Sequence, residues 1–449
     1  MMFWQETYWG STLLAILSFT GELWKSYVFS VAALKFRNSE NLMRTKQKPI
    51  YPTIDIEALN NLAINAGSVI KQARSSMLAP EARKSPPLFN STQLGELCGL
   101  ERAQVMYHAK KGELPGGERP DVSRREWTLE EARVWVKTFR SDTLRDPEFA
   151  SGTTIAVANY KGGVSKTTTA AALAQGLSLR GHRVLVIDTD PQGSLTTLFG
   201  VLPDTEVEAD STILGLCTGE ADSIMPSVQK TYWDGIDLVA AAPILFNAEF
   251  LLPSRQANDP GFAFWRVLDA GLEQARNEYD IIIIDTPPSL SYITINALIA
   301  ADGVLMPLPP NALDFASSAQ FWSLFTGVCS SLFEARGESK QYSFVDILLS
   351  RVDKADLISN DIRNWIVSAY GPKVLPVEIP KTSIAASASA EFGTVYDMDV
   401  GSAQAKTLKR AHDAYELLVD YVEKQVWGVW EANAEAVRKT DAVIAKGEI

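Results

Sequence analysis

The chain has 449 residues, of which 46% are apolar and 21% charged, and its formal net charge is −12. Its length suits two or three globular domains, and the acidic balance excludes a protein coated in basic residues, so any nucleic-acid contact must use local patches. Three cysteines, Cys98, Cys217 and Cys329, stand far apart, which excludes a disulfide framework or a zinc or iron–sulfur site and points to a reducing cytoplasm.

Two apolar runs open the chain, Leu13 to Phe19 and Tyr27 to Leu34, but Glu22 and Lys25 break them short of a membrane span. No basic residue precedes the first run and no small-residue cleavage site follows it, which argues against a signal peptide. Met43 begins Met-Arg-Thr-Lys-Gln-Lys, an ordinary cytoplasmic start, so residues 1–42 are expected to be an upstream extension or a weakly attached helix. The segment 43–80 is expected to be one amphipathic helix, because Leu59, Leu62, Ala63, Ala66, Val69, Ile70 and Ala73 keep a helical period. That stripe has to bury itself on its own chain or on a second subunit.

Residues 81–140 form a unit of their own. Asn90 with Gln93 makes a capping box for a first helix bearing Leu94, Leu97 and Cys98, and Gly99 supplies the turn. A second helix, from about Glu101 to Lys111, ends at Gly112 and offers Arg102, Gln104, His108 and Lys110 on its outer turns. Two short helices joined at a glycine predict a helix-turn-helix. The loop Glu113 to Arg125, with Arg119, Arg124 and Arg125, predicts a wing, and Thr128 with Glu131 boxes a third helix that buries Ala132, Val134, Trp135 and Phe139. The module carries 11 Lys or Arg against 9 Asp or Glu, a milder balance than the whole chain's. A helical packing domain without DNA contact is the plainer alternative. Residues 141–152 are polar and aperiodic, and are expected to be a linker.

The most informative stretch is Thr154 to Thr168. A strand from Ile155 to Ala158 feeds a glycine loop, and a helix opens at Lys166 with Ala170, Leu173, Ala174 and Leu177 on one face until Gly181 stops it. Several backbone N–H groups and a positive helix end then meet at one point, an anion site whose usual occupant is a phosphate chain. Lys166 supplies a charge for the β- and γ-phosphates, and the Thr167 hydroxyl can ligate Mg²⁺. The usual phosphate-loop spacing fails, since Ser165 and Tyr160 stand where glycines belong. A variant with an early lysine, Lys161-Gly162-Gly163-Val164-Ser165-Lys166-Thr167, does fit. Next, the apolar strand Arg183 to Ile187 runs into Asp188-Thr-Asp-Pro-Gln, and Asp280 to Ser289 carries four isoleucines ending at Asp285. Both carboxylates then lie at strand ends, in the crevice where such sheets bind ligands. Later strands at Gly303–Leu308, Phe344–Ser350 and Val374–Ile379 alternate with helices, which predicts a doubly wound parallel α/β sheet of P-loop NTPase type over 153–449. The end, Leu408 to Trp430, is helical. Its acidic surroundings favour packing of Val426, Trp427 and Trp430 in a core over a membrane-surface role.

These motifs carry a resemblance. The early-lysine loop is similar to the deviant Walker A box of the ParA/MinD ATPases, and Asp-x-Asp-Pro-Gln matches the ParA box. From Thr153 to about Tyr421 the chain resembles a ParA-type partition ATPase, and its N-terminal unit resembles MerR-like winged modules at the place where large plasmid ParA proteins bind their operator. The resemblance implies ATP and Mg²⁺, with Lys161, Gly162, Gly163, Val164, Ser165, Lys166, Thr167 and Thr168 around the nucleotide. It implies that Lys161 reaches the partner's nucleotide in an ATP-driven homodimer. Asp188 would orient the attacking water, and Thr167, Asp188 and Asp285 would attend the metal. It further implies a ParB-like partner that stimulates hydrolysis and autorepression through the winged module. Non-specific binding to nucleoid DNA by the ATP form, without a membrane partner, would use Arg351 and Lys381 after two late strands. Arg102, Gln104, Lys110, Arg124 and Arg125 would meet the operator. Ser165 replaces a glycine of the commonest family motif. If that position needs positive φ, serine costs ~1–2 kcal/mol. Two other readings stay open: a MinD-like positioning ATPase, and a nucleotide-regulated repressor with little ATPase activity.

Overall fold

The fold's centre follows from its unbroken apolar runs, which can be buried on both faces only as parallel strands between helices. Eight strands form one sheet in the order β10-β9-β8-β3-β7-β4-β6-β5. They are β3 (Thr153–Val157), β4 (Val184–Asp188), β5 (Gln229–Lys230), β6 (Ile236–Val239), β7 (Ile281–Asp285), β8 (Gly303–Leu308), β9 (Phe344–Val352) and β10 (Val374–Pro380). Every neighbouring pair is parallel except the edge pair β5–β6. β5 and β6 are additions to the strands expected from sequence. The computed structural model describes residues 54–77, 84–118, 125–333, 336–381, 393–397 and 405–445. The proposed extension 1–42 lies outside them.

The chain divides into two units, Met1–Ala79 and Pro80–Ile449. In the first, helix α1 (Ile56–Met77) carries the predicted stripe, and Leu59, Leu62 and Val69 are exposed along it.

In the second unit the small module comprises α2 (Ser91–Cys98), α3 (Arg102–Lys111) and α4 (Leu129–Phe139), with a two-stranded antiparallel ribbon of β1 (Phe89–Asn90) and β2 (Glu126–Trp127). Asn90 and Gln93 bond reciprocally at the start of α2, and so do Thr128 and Glu131 at α4. Two indoles fix the ribbon's loop: Trp127 and Trp135 both donate Nε1–H to the Pro115 carbonyl, each at 2.9 Å.

This module has no separate core. Trp127, Leu129, Trp135 and Val136 are continuous with the buried side chains of the large sheet. Arg133, 3% exposed, donates to the Ser178 and His182 carbonyls and pairs with Asp234 at 2.8 Å. A Cβ at Gly235, which has φ +85°, would overlap its guanidinium. Arg140 and Arg180 both reach Glu423, whose carboxylate also bonds His182 at 2.7 Å. The segment 141–152, expected to be a linker, is fastened at its polar groups. Arg145 pairs with Asp280 at 2.9 Å and donates to the Asn277 carbonyl, while Trp427 donates to the Thr143 carbonyl. The segment is polar because it is a strap with hydrogen-bonded ends, not because it is a free tether.

Among the described residues the unit also holds six longer helices: α5 (Lys166–Leu179), α6 (Ala248–Asn258), α7 (Tyr292–Ala300), α8 (Ala312–Phe333), α9 (Leu357–Tyr370) and α10 (Ala405–Ala445). α10 outruns its predicted end and lays Leu418, Val419, Val422, Val426 and Trp430 into the core beside α5. Among the described residues no helix is long and apolar enough to cross a membrane.

Candidate nucleotide site

β3 ends in the middle of the sheet, and the chain must leave it through a loop before α5 can pack back. Asn159 shapes that exit. Its amide donates to the Pro307 carbonyl at 2.8 Å, and its Oδ1 accepts the Lys161 N–H at 3.2 Å. Nothing in the sequence pattern singled this residue out. Gly163 follows at φ +75° and Ser165 at φ +76°, both left-handed. The strain anticipated for Ser165 is therefore present, roughly 1 kcal/mol or more for a residue with a Cβ. It turns the backbone so that successive N–H groups can converge, the geometry of an anion nest.

Lys166, at the first turn of α5, is 7% exposed and donates from Nζ to the Lys161 carbonyl at 3.1 Å. Its ammonium thus lies back along the loop. Burial lowers its pKa, while Asp285 and Asp190 pull it upward. Pro288, after β7, flanks the loop, 3.7 Å from a Cβ built on Gly162. Thr167 and Thr168 are half-buried on the same first turn.

Asp188 and Asp285 are paired residues at the ends of the adjacent strands β4 and β7. Both are fully buried, and the difference between them is informative. Asp188 is held on both oxygens. Oδ2 accepts the Thr196 N–H and hydroxyl, each at 2.8 Å, and Oδ1 accepts the Asp190 N–H at 3.1 Å. Burial raises its pKa to about 7 against the pull of those bonds. Thr196 lies on the short helix Ser194–Leu198, and like Asn159 it escaped the sequence reading. Asp285 has neither oxygen in an aligned hydrogen bond. Burial, then the neighbouring Asp188, push its pKa well up, while the Thr167 hydroxyl and Lys166 oppose the shift. A buried carboxyl without partners costs several kcal/mol unless something cationic or protic meets it.

Lys161 points elsewhere. Its Nζ pairs with Asp314 near the start of α8, and Asp314 is 5% exposed and also accepts from the Asn311 amide. Asp314 is a further partner that no motif announced.

A glycine loop between a central parallel strand and a helix, with strand-end carboxylates alongside, defines a P-loop nucleotide-binding domain. The family model described as an AAA domain matches residues 152–333. SopA of Escherichia coli strain K12 is 28% identical over 360 residues, 77% of this chain and 90% of that protein. The chromosome partitioning protein ParA of Caulobacter vibrioides strain NA1000 is 31% identical over 259 residues, 56% of this chain and 90% of its own length. A solved structure titled partition protein shares the fold, at a TM-score of 0.59 and 20% identity, covering 83% of this chain and 99% of that one. The chain belongs to the ParA family of partition ATPases.

The residues singled out for DNA contact lie apart from the nucleotide loop, with one exception. Arg102 and Lys110 are exposed on α3, though Arg102 donates to the Ser91 hydroxyl at 3.2 Å. Gln104 caps its own helix, its Oε1 accepting the Glu101 N–H at 2.8 Å. Arg125 donates to the Gly116 carbonyl in the stretch before β2, and Arg124 lies outside the described residues. Lys381 is exposed after β10, 3.9 Å from Asp353. Arg351, at the end of β9, is the exception: it donates to the Gly163 carbonyl at 2.6 Å.

Proposed function

We propose that this protein is a Mg²⁺-dependent ATPase that moves or positions DNA, as a member of a plasmid or chromosome partition system. The observation that carries the reading is the buried, unpartnered carboxylate of Asp285 beside the phosphate loop and Lys166. Residues 161–168 would cradle the phosphates. Thr167 and Asp285 would attend Mg²⁺, Asp285 through water. ATP with Mg²⁺ supplies a phosphoanhydride whose cleavage can be linked to a conformational cycle. Asp188, held by Thr196 on Oδ2 and accepting a single bond on Oδ1, would orient the attacking water and attend the metal from its Oδ1 side. Lys161, placed before the glycines, would exchange Asp314 for a partner subunit's nucleotide in an ATP-bound homodimer.

The DNA-related functions are assigned to two surfaces. The module at 81–140 would bind an operator through α3 and the wing, with Arg102 and Lys110 on the face and Gln104 and Arg125 in supporting places. The edge at Arg351 and Lys381 would contact DNA without sequence preference. A ParB-like protein would stimulate hydrolysis. Titration of non-specific DNA at several salt concentrations, with ATP and Mg²⁺, tests the second surface. Lys381→Ala should weaken all sequences alike and reduce the log–log salt slope by about 0.9, the value for one lost phosphate contact. An unchanged slope and affinity would place the DNA elsewhere.

A further inference from the structure

A phosphate loop works through backbone N–H groups, and in a trans peptide the carbonyl opposite each N–H points the other way. Whatever holds the outward carbonyls therefore sets the inward donors. Two consecutive side chains at the end of β9 do this. Ser350, fully buried, donates its hydroxyl to the Val164 carbonyl at 3.0 Å, and Arg351 donates Nη1–H to the Gly163 carbonyl at 2.6 Å. The Gly163 carbonyl shares its peptide with the Val164 N–H, and the Val164 carbonyl shares its peptide with the Ser165 N–H. Arg351 has φ +54°. With Ser165 it makes up the non-glycine residues of positive φ among the described residues. Left-handed backbone is unfavourable for a branchless long side chain as for any L-residue, and persists where the surroundings over-determine it.

We infer that Ser350 and Arg351 are positioning residues of the phosphate loop, bracing it from outside so that the Val164 and Ser165 N–H groups face the anion. The guanidinium has five donors, and one of them is committed to Gly163. Since Arg351 is exposed, its remaining donors stay open to a DNA phosphate. One side chain then lies between the proposed DNA edge and the nucleotide loop, and any effect of one ligand on the affinity of the other would be reciprocal. The inference rests on the reading of the loop as a nucleotide site.

The test is equilibrium titration of the full chain with a fluorescent methylanthraniloyl-ADP and Mg²⁺, in the absence of DNA. Arg351→Gly keeps the backbone comfortable and removes the donor, so it should raise Kd about tenfold, the scale of a charge-assisted hydrogen bond. Arg351→Lys retains a charged donor and should fall between Arg351→Gly and the wild type. Ser350→Ala should weaken binding a few-fold. Lys354→Ala, on the same edge but not touching the loop, should bind as the wild type does. Unfolding without nucleotide, followed in parallel, should barely shift for Arg351→Gly. Wild-type affinity in both Arg351→Gly and Ser350→Ala overturns the brace, as does equal weakening by Lys354→Ala. A wild-type protein that binds no methylanthraniloyl-ADP would instead overturn the nucleotide reading itself.

Discussion

The nucleotide loop and the seam that joins the small module to the sheet are both buried and both rich in charge, yet they differ in how that charge is satisfied. In the seam, Glu423 meets His182, Arg140 and Arg180, and Arg133 meets Asp234 and two carbonyls. At the loop, Asp285 is, among the described residues, the one carboxylate with both oxygens buried and unpartnered. Buried polar groups are normally paired, so the satisfied cluster reads as architecture and the unsatisfied carboxylate as a place for a ligand. Charge and burial alone would not have separated the two.

The comparison is broken most severely at the loop. Lys166→Ala and Asp285→Ala should each lower the ATP turnover rate by at least ~100-fold, the scale of one lost charge-stabilising contact. In contrast, Asp285→Asn should raise thermal stability without nucleotide, since it removes a charge that burial disfavours. A calorimetric scan and a turnover assay on the same sample separate these effects. At the seam the sign reverses: Glu423→Ala leaves the buried His182 and the half-buried Arg140 without their carboxylate, while Arg180 keeps Glu416 and Asp420, and should cost about 3 kcal/mol in denaturant unfolding, with nucleotide affinity retained.

The seam also has a pH signature. Burial tends to raise the Glu423 pKa, but His182, Arg180 and Arg140 outweigh it and hold the carboxyl below its usual value. A depressed carboxyl stabilises the fold above its unfolded pKa of about 4.3, and that contribution disappears as pH falls through the folded value. Unfolding of the wild type should therefore become steeper with acid below about pH 4.3, and Glu423→Gln should remove that component. The smallest expected effect belongs to Lys161. Asp314→Asn breaks a pair whose lysine is 38% exposed, so stability should change by only about 1 kcal/mol or less. If Lys161 serves a partner subunit, the same variant should shift the ATP-dependent monomer–dimer balance in sedimentation.

Much of this was legible in the residues. Unbroken runs such as Ile281 to Ile284 can only be central strands, and the loop's start, the helix at Lys166 and the strand-end positions of Asp188 and Asp285 follow from spacing. The caps at Asn90 and Thr128 were equally readable, because a capping box is local. What sequence could not show were partners that only the folded chain brings together. Asp314 holding Lys161 and Arg351 holding Gly163 join residues more than a hundred positions apart, and Thr196 reaches Asp188 only because the chain turns back in the short helix after β4; no period encodes any of these. The fastening of 141–152 was hidden for the same reason: its polar groups are satisfied by Asp280, Asn277 and Trp427, more than a hundred residues away.

The central claim is that the loop, Lys166 and Asp285 form a working ATPase. Phosphate release by the full chain, with ATP, Mg²⁺ and DNA present, tests it most directly when Lys166→Ala is assayed beside the wild type. The account predicts slow, Mg²⁺-dependent release by the wild type and none above background from Lys166→Ala. Equal release from both proteins, or none from the wild type under any of these conditions, would contradict it.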